Sequence, residues 1–317
     1  MKILLTGAFG NLGQSTLAQL LPRGHQVRCL ELDNPRNRRI ARQYRDQIEL
    51  VWGDITNPVD VAAAVYEQAI IVHLAAIIPP NSEKAPELTY AVNAVGTQNL
   101  VQAAQAQPNP PRFLLASTYD LYGHTQEQTP PRTASDPIAV TSHYTRGKKA
   151  AEACVQASGL TWAILRFGSI IQIALGQFPD MAFELPVTQR LHIIHTADAG
   201  LAVANAAAHN GIWGKILLIA GSDTCRVQYG AFINGMMDAF GLGPLPAEAF
   251  TKRPYTTDWV DTAESQQLLQ YQRFGFTDIQ SQTAALLGWR RVFMPLVRPF
   301  VRRWFLAKSP YWQSRGQ

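Results

Sequence analysis

Six short apolar runs recur through the first half of the chain: "KILLTGA", "QVRCLEL", "IELVWGD", "AIIVHLAA", "RFLLAST" and "TWAILRFGS". Each is rich in Val, Ile and Leu with little polar alternation, which is how parallel strands buried on both faces read. Between them, 3.6-residue periodicity predicts helices over Leu12 to Leu21, Pro58 to Gln68, Pro86 to Gln107 and Tyr144 to Ser158. Alternating strands and helices predict a doubly wound α/β sheet with right-handed crossovers. After about residue 166 the pattern loosens. The runs "RLHIIH" and "KILLIAG" persist among prolines and glycines, as in a smaller lobe some of whose strands return to the sheet. The expected division is residues 1–165 for the sheet domain, 166–289 mainly for the lobe, and 290–317 for a tail.

Composition narrows the class. The 317 residues are 47% hydrophobic and 16% charged, enough apolar material for a packed core and too much for disorder. The short N-terminal apolar run lacks the length and cleavage pattern of a signal peptide, so a cytoplasmic location is expected. Cys29, Cys154 and Cys225 are far apart with no CxxC, which argues against a disulfide framework and a zinc site. The seven histidines show no metal-binding spacing, and no metal is expected.

The net charge of +5 is local: Arg290, Arg291, Arg298, Arg302, Arg303, Lys308 and Arg315 lie in a terminal stretch without an acid. The rest is close to neutral, so nucleic acid is not an expected partner. The tail mixes those cations with Phe293, Met294, Phe300, Trp304 and Phe305. It either packs on the lobe or a partner subunit, or makes peripheral contact with an anionic membrane. The arginines prevent it from spanning a bilayer, and Pro295 and Pro299 are expected to break a long helix.

Three signals carry chemistry. "TGAFGNLG" places Gly7, Gly10 and Gly13 where the first strand gives way to a helix. There the first glycine permits a tight turn, the second lets the backbone approach a pyrophosphate, and the third permits close packing. The phosphates then meet amides at the helix N-terminus, from Asn11 and Leu12 onward. Next, Glu31 and Asp33 end the second strand about 20 residues on, where an acid accepts hydrogen bonds from an adenosine ribose and repels a 2′-phosphate. NAD is therefore the expected cofactor, with NADP possible through Arg36, Arg38 or Arg39. Third, Tyr144 and Lys148 stand at i and i+4 of a helix that follows the fifth strand.

With these residues the chain resembles the extended short-chain dehydrogenase/reductase family of NAD-dependent epimerase/dehydratase type. The resemblance rests on "TGAFGNLG", Asp54 in "GDIT", "HLAA" from His73 to Ala76, "NAVGTQNL" with Asn93, "STYDLYG" and "YTRGK". Weaker echoes in "LRFGSI", "IHTADAG" with Asp198, and "DTAESQQLL" extend it over about residues 2 to 270. It implies a Rossmann sheet with a C-terminal substrate lobe, and cofactor contacts from Gly7, Gly10, Asn11, Leu12, Gly13, Glu31, Asp54, Ile55, Leu74, Ala75, Ala76, Asn93 and Lys148. It further implies Tyr144 as the acid/base, Lys148 holding the nicotinamide ribose and lowering the Tyr144 pKa, Thr118 binding the reacting oxygen with Ser117 beside it, and a homodimer. Moving a tyrosine from about 10 to near 7 needs roughly 4 kcal/mol, which one ammonium at ~4 Å supplies in an effective dielectric of ~20.

The expected function is hydride transfer at a hydroxyl or carbonyl carbon of a small-molecule substrate. The apolar "FPDMAFELPV" and the short segment between Arg166 and His195 favour a small or hydrophobic substrate over a nucleotide sugar. A nucleotide-sugar epimerase or dehydratase is the alternative within the class; a dehydratase wants a further carboxylate near Thr118, for which Asp120 and Glu127 are the neighbours in sequence. A cofactor-sensing or membrane-associated binding protein is the alternative outside it. His73 is expected to be a satisfied core residue, His195 to position backbone, and His143 to lie on the surface.

Overall fold

The computed structural model describes residues 1–174 and 181–313. Of the apolar segment named above, Phe178, Pro179 and Asp180 lie outside the described residues, as does Arg315 of the tail.

The strands are β1 (Lys2–Thr6), β2 (Gln26–Glu31), β3 (Ile48–Trp52), β4 (Ile70–His73), β5 (Arg112–Thr118), β6 (Trp162–Phe167), β7 (Ser169–Ile171), β8 (Arg190–His195), β9 (Ile216–Ile219) and β10 (Arg226–Gln228). The first six coincide with the six apolar runs. Seven form a parallel sheet in the order β3-β2-β1-β4-β5-β6-β9, and β7, β8 and β10 form a small separate sheet. The fold is thus a doubly wound α/β Rossmann-type sheet, with one late strand, β9, back in it.

The continuous hydrophobicity of the strands has a direct cause. Ile3 and Leu5 face one core cluster while Leu4 faces the other, and Val72 and Ile71 divide the same way. The register aligns Thr6 with His73 and with Leu30, and Thr118 with Phe167, so these carboxyl ends share one edge. The strand order reverses beside β1, which opens a crevice at that edge.

The helices are α1 (Asn11–Leu20), α2 (Pro35–Ala41), α3 (Pro58–Val65), α4 (Asn81–Lys84), α5 (Pro86–Tyr90), α6 (Gly96–Gln105), α7 (His143–Gln156), α8 (Thr196–Ala208), α9 (Tyr229–Ala239), α10 (Ala263–Leu269), α11 (Phe276–Leu287), α12 (Met294–Ala307) and α13 (Pro310–Gln313). The single helix expected over Pro86 to Gln107 is instead α5 and α6 joined by a π-helical segment, Ala91–Val95. Tertiary contacts account for the distortion. Asn93 is tied to the backbone of Ile77, and a Cβ on Gly96 would lie 2.7 Å from Ile55 Cδ1. Helix α3 stops at Val65 rather than Gln68, because the Arg28 guanidinium takes the carbonyls of Ala64 and Tyr66 and Glu67 turns to a φ of 57°.

A third cluster, with Phe183, Leu191, Ile193, Ile233, Met237 and Phe250, is the core of the smaller lobe. Met294, Val301 and Phe305 of α12 pack against it. The tail therefore holds a 14-residue helix, contrary to the expectation that its prolines would prevent one. Pro295 stands in the first turn, where no amide is needed, and Pro299 gives up one bond, to the carbonyl of Pro295.

Candidate active site

At the end of β1 the chain turns through Gly7 with a φ of +70°, and a Cβ there would sit 2.7 Å from Ala75 N. At Gly13 a Cβ would fall 2.1 Å from Gly7 O, so α1 can lie against the strand only without a side chain. Gly10 is different: its Cβ would meet only Gly7 O, at 3.3 Å. It begins α1, whose first amides receive no side-chain cap. An open cradle at an uncapped helix N-terminus fits an anionic diphosphate such as that of NAD.

Glu31 closes the other side of the loop. Its carboxylate accepts from Phe9 N at 2.9 Å and from Asn37 Nδ2 at 3.2 Å, and burial raises its pKa. Of the three arginines weighed for a 2′-phosphate, Arg36 donates to Phe9 O in the glycine loop and Arg38 pairs with the exposed Asp33.

Gly7, Gly10, Asn11, Leu12, Gly13, Leu74, Ala76, Thr118, Tyr144 and Lys148 line one cavity of about 490 Å³. Ala75, Asn93, Ile55 and Asp54 are not among its lining residues. Ala75 N donates to Thr6 Oγ1, Asn93 grips both the amide and the carbonyl of Ile77, Ile55 O accepts from Asn99, and Asp54 caps the turn at Thr56. His73 lies fully buried between Thr6 and Thr97, at 2.7 and 3.0 Å, and burial holds its pKa down to about 3, so it is a neutral strut of the floor.

Helix α7 aims its inner face at the cavity. Ser142 and Thr145 form a capping box, and the Glu83 carboxylate accepts from the amides of His143 and Tyr144, both at 3.1 Å. Glu83 lies about 60 residues upstream, and nothing in the sequence pattern connects it to this helix. One turn on, Lys148 Nζ donates to Ala116 O at 2.9 Å, and burial lowers its pKa to about 8. A further turn on, Glu152 forms a buried two-point ion pair with Arg166, whose guanidinium also donates to Tyr122.

The groups around Tyr144 act on its phenol in opposite directions. Burial pushes the phenol up, the Asp120 carboxylate pushes it further, and a hydrogen bond with Thr118 opposes them. The Lys148 ammonium is directed at the Ala116 carbonyl.

Of the two carboxylates weighed from the sequence, the structure brings one to the site. Glu127 is exposed. Asp120 sits in the 3₁₀ turn after β5, its amide bonded to Thr118 Oγ1 at 3.2 Å. Its Oδ1 is buried without a partner, and burial raises its pKa to about 7. It lines the main cavity and also a neighbouring one of about 400 Å³ that includes Glu83, His124 and Arg253. Ser117 Oγ is likewise buried and unpartnered on the main cavity wall. Tyr255, Tyr229 and Phe232 complete the far wall, from segments with no recognisable signal.

The other histidines have structural places. His195 caps α8 by accepting from Ala197 N and meets Gln282, and His143 is exposed. Asp198 is fully buried and accepts from the amides of Arg273 and Phe274. The three cysteines are free, and among the described residues no His, Cys, Asp and Glu cluster could hold a metal.

Residues 3–171 match the family described as NAD dependent epimerase/dehydratase. A 3-beta-hydroxysteroid dehydrogenase of Mycolicibacterium neoaurum is 35% identical over 37% of this chain and 32% of its own length. A UDP-glucose 4-epimerase of Klebsiella pneumoniae is 34% identical over 39% of this chain and 93% of its own. The chain thus spans about a third of the steroid dehydrogenase. The fold is shared with a UDP-glucuronic acid 4-epimerase of Bacillus cereus, at a TM-score of 0.77 and 20% identity over 90% of this chain and 98% of that one. With the match covering more than half of its length, the chain belongs to the NAD-dependent epimerase/dehydratase family.

Proposed function

We propose that the protein is an NAD-dependent oxidoreductase acting at a hydroxyl or carbonyl carbon, with Thr118, Tyr144 and Lys148 as its catalytic residues. One observation carries this reading: these three side chains line the same cavity as the glycine loop. Gly7, Gly10, Asn11, Leu12 and Gly13 cradle the diphosphate of NAD, Glu31 takes its ribose, and Leu74 to Ala76 flank it. When bound, NAD accepts or gives the hydride.

The chain's own residues handle the proton. Burial keeps the Tyr144 phenol protonated at neutral pH, so it donates to a substrate carbonyl oxygen in reduction; in oxidation it must first give up that proton, and the phenolate then accepts the one from the substrate hydroxyl. Thr118 gives that oxygen a second hydrogen bond. Lys148, charged below about pH 8, stabilises the phenolate formed in the step.

Lys148 is the one cation among the described residues on the cavity wall, and Ile171, Met181, Leu185, Leu191 and Phe232 make much of the rest. An apolar wall of this kind suits the body of a small or steroid-like alcohol. This supports a hydrophobic substrate. Asp120 supports a second reading: a carboxyl beside Thr118 whose pKa is raised to about 7 suits a second proton transfer, as a dehydration requires.

We read the protein as cytoplasmic, which three free cysteines support. We read it as a homodimer, which exposed Leu88 and Tyr90 of α5 and Val95 of the π-helical segment support.

Purified protein assayed with NAD and a panel of secondary alcohols, hydroxysteroids and nucleotide sugars tests the proposal. Turnover abolished by Tyr144→Phe with NADH binding retained supports it. Equal turnover in the variant overturns the catalytic assignment.

A further inference from the structure

Helix α12 carries two apolar faces, and only one of them is used. Met294, Val301 and Phe305 face the lobe core, and Arg302 donates to the carbonyls of Leu242, Gly243 and Pro244. The helix is therefore fixed to the body of the protein. On the opposite side Leu296, Phe300 and Trp304 repeat every four residues and are 73%, 76% and 53% exposed. Phe293 continues the stripe toward the N-terminus, and the exposed Trp289 lies in the turn before the helix. Large apolar side chains in a continuous exposed row mark an interaction site, where scattered ones would need no explanation.

We propose that this face docks the protein on an anionic lipid bilayer. Charge complementarity selects that occupant. At about 100° per residue, Arg303 falls on one flank of the stripe and Lys308 on the other. Lys308 Nζ sits 4.1 Å from the Trp304 ring centroid, so its charge is held at the aromatic border. Residues 290–317 contain seven cations and no acid. Arg303 also borders an open depression of about 600 Å³, together with Pro299 and Ala307. A second copy of this chain fits poorly, because a two-fold contact sets the same cations against one another.

The helix lies along the surface and does not cross it. Fourteen residues span about 21 Å, short of the roughly 30 Å hydrocarbon core. No described helix is long and apolar enough to cross a membrane. Aromatic and aliphatic side chains facing the bilayer with Arg and Lys at their edges are the arrangement of an interfacial helix.

Sedimentation of the full chain with phosphatidylglycerol/phosphatidylcholine vesicles, and with phosphatidylcholine alone, tests this. The expected result is pelleting with the anionic vesicles that weakens as salt rises. Each cation near such a surface strengthens partitioning by about fivefold, so R303E/K308E should lower it by more than about tenfold. L296E/F300E should do the same while leaving the thermal unfolding midpoint and NADH affinity unchanged. Wild-type protein that stays in the supernatant with anionic vesicles overturns the proposal. So does analytical ultracentrifugation showing a wild-type oligomer that L296E/F300E dissociates, which would make this face a contact between copies.

Discussion

The crevice above β1, β4 and β5 and the outer face of α12 invert the usual rule in opposite directions. In the crevice polar groups are withdrawn from water: His73, Thr118 and Lys148 are buried, and the half-buried Asp120 has one buried, unpartnered oxygen. On α12 apolar groups are exposed, with Phe300 and Leu296 in solvent. Each inversion is costly for an isolated fold. Buried polar groups that shift one another's proton affinity suit chemistry, and exposed apolar groups ringed by cations suit docking. The contrast teaches that function is written in departures from good packing, and that the kind of departure indicates the kind of partner.

The largest effect that sharpens this contrast is in the crevice. Tyr144→Phe should lower turnover by about 10² to 10⁴-fold, measured by steady-state kinetics, with little change in stability. Phe113, fully buried in the sheet core, provides the structural counterpart. Its replacement by Ala should cost about 3–5 kcal/mol in urea unfolding.

Next come the buried titrating groups. His73 is neutral in the fold, its pKa held to about 3 against an ordinary 6.5. The unfolded chain binds the proton more readily, so stability present above pH 6.5 is lost as pH falls toward 3. Asp120 has the opposite sign. Its pKa is raised to about 7, so the folded state holds the proton and stability is lost as pH rises from about 4 to 7. D120N should remove that loss and exceed wild type by about 2–4 kcal/mol at pH 8, read from denaturant midpoints. If wild type and D120N have parallel pH profiles, Asp120 is solvated and the contrast between the regions weakens.

Glycine substitutions come third. Gly13→Ala, meeting a backbone carbonyl at 2.1 Å, should destabilise by about 3 kcal/mol in urea. Gly10→Ala should leave the urea midpoint nearly unchanged and weaken NADH binding by about tenfold. The smallest effect belongs to α12. Phe300→Ala should change stability by no more than about 0.5 kcal/mol, because the side chain has so little to lose.

Much of the crevice was legible in the sequence because local rules produce it. Buried parallel strands read as apolar runs, glycines mark the turn and the close helix, and i,i+4 spacing puts Tyr144 and Lys148 on one face. What was not legible depends on contacts between distant segments. Glu83 reaches α7 across about 60 residues, Tyr255 arrives from an irregular loop, and the π segment at Asn93 reflects its grip on Ile77. Asp120 was visible as a neighbour of Thr118, but its buried, unpartnered state follows from packing that spacing does not encode. Tyr144 is a similar case: sequence supplied its pairing with Lys148, whereas the burial that raises its pKa comes from packing. In the tail the composition was plain, whereas the helix through Pro299 depended on the lobe surface that supports it.

Titration of the purified chain with NADH and with NADPH, read by nicotinamide fluorescence, tests the central claim most directly. The account predicts saturable binding of NADH, tighter than NADPH, and loss of that preference in Glu31→Gln with the fold intact. Tighter binding of NADPH would transfer the ribose side to the arginines of α2, and no binding of either nucleotide would contradict the active-site assignment as a whole.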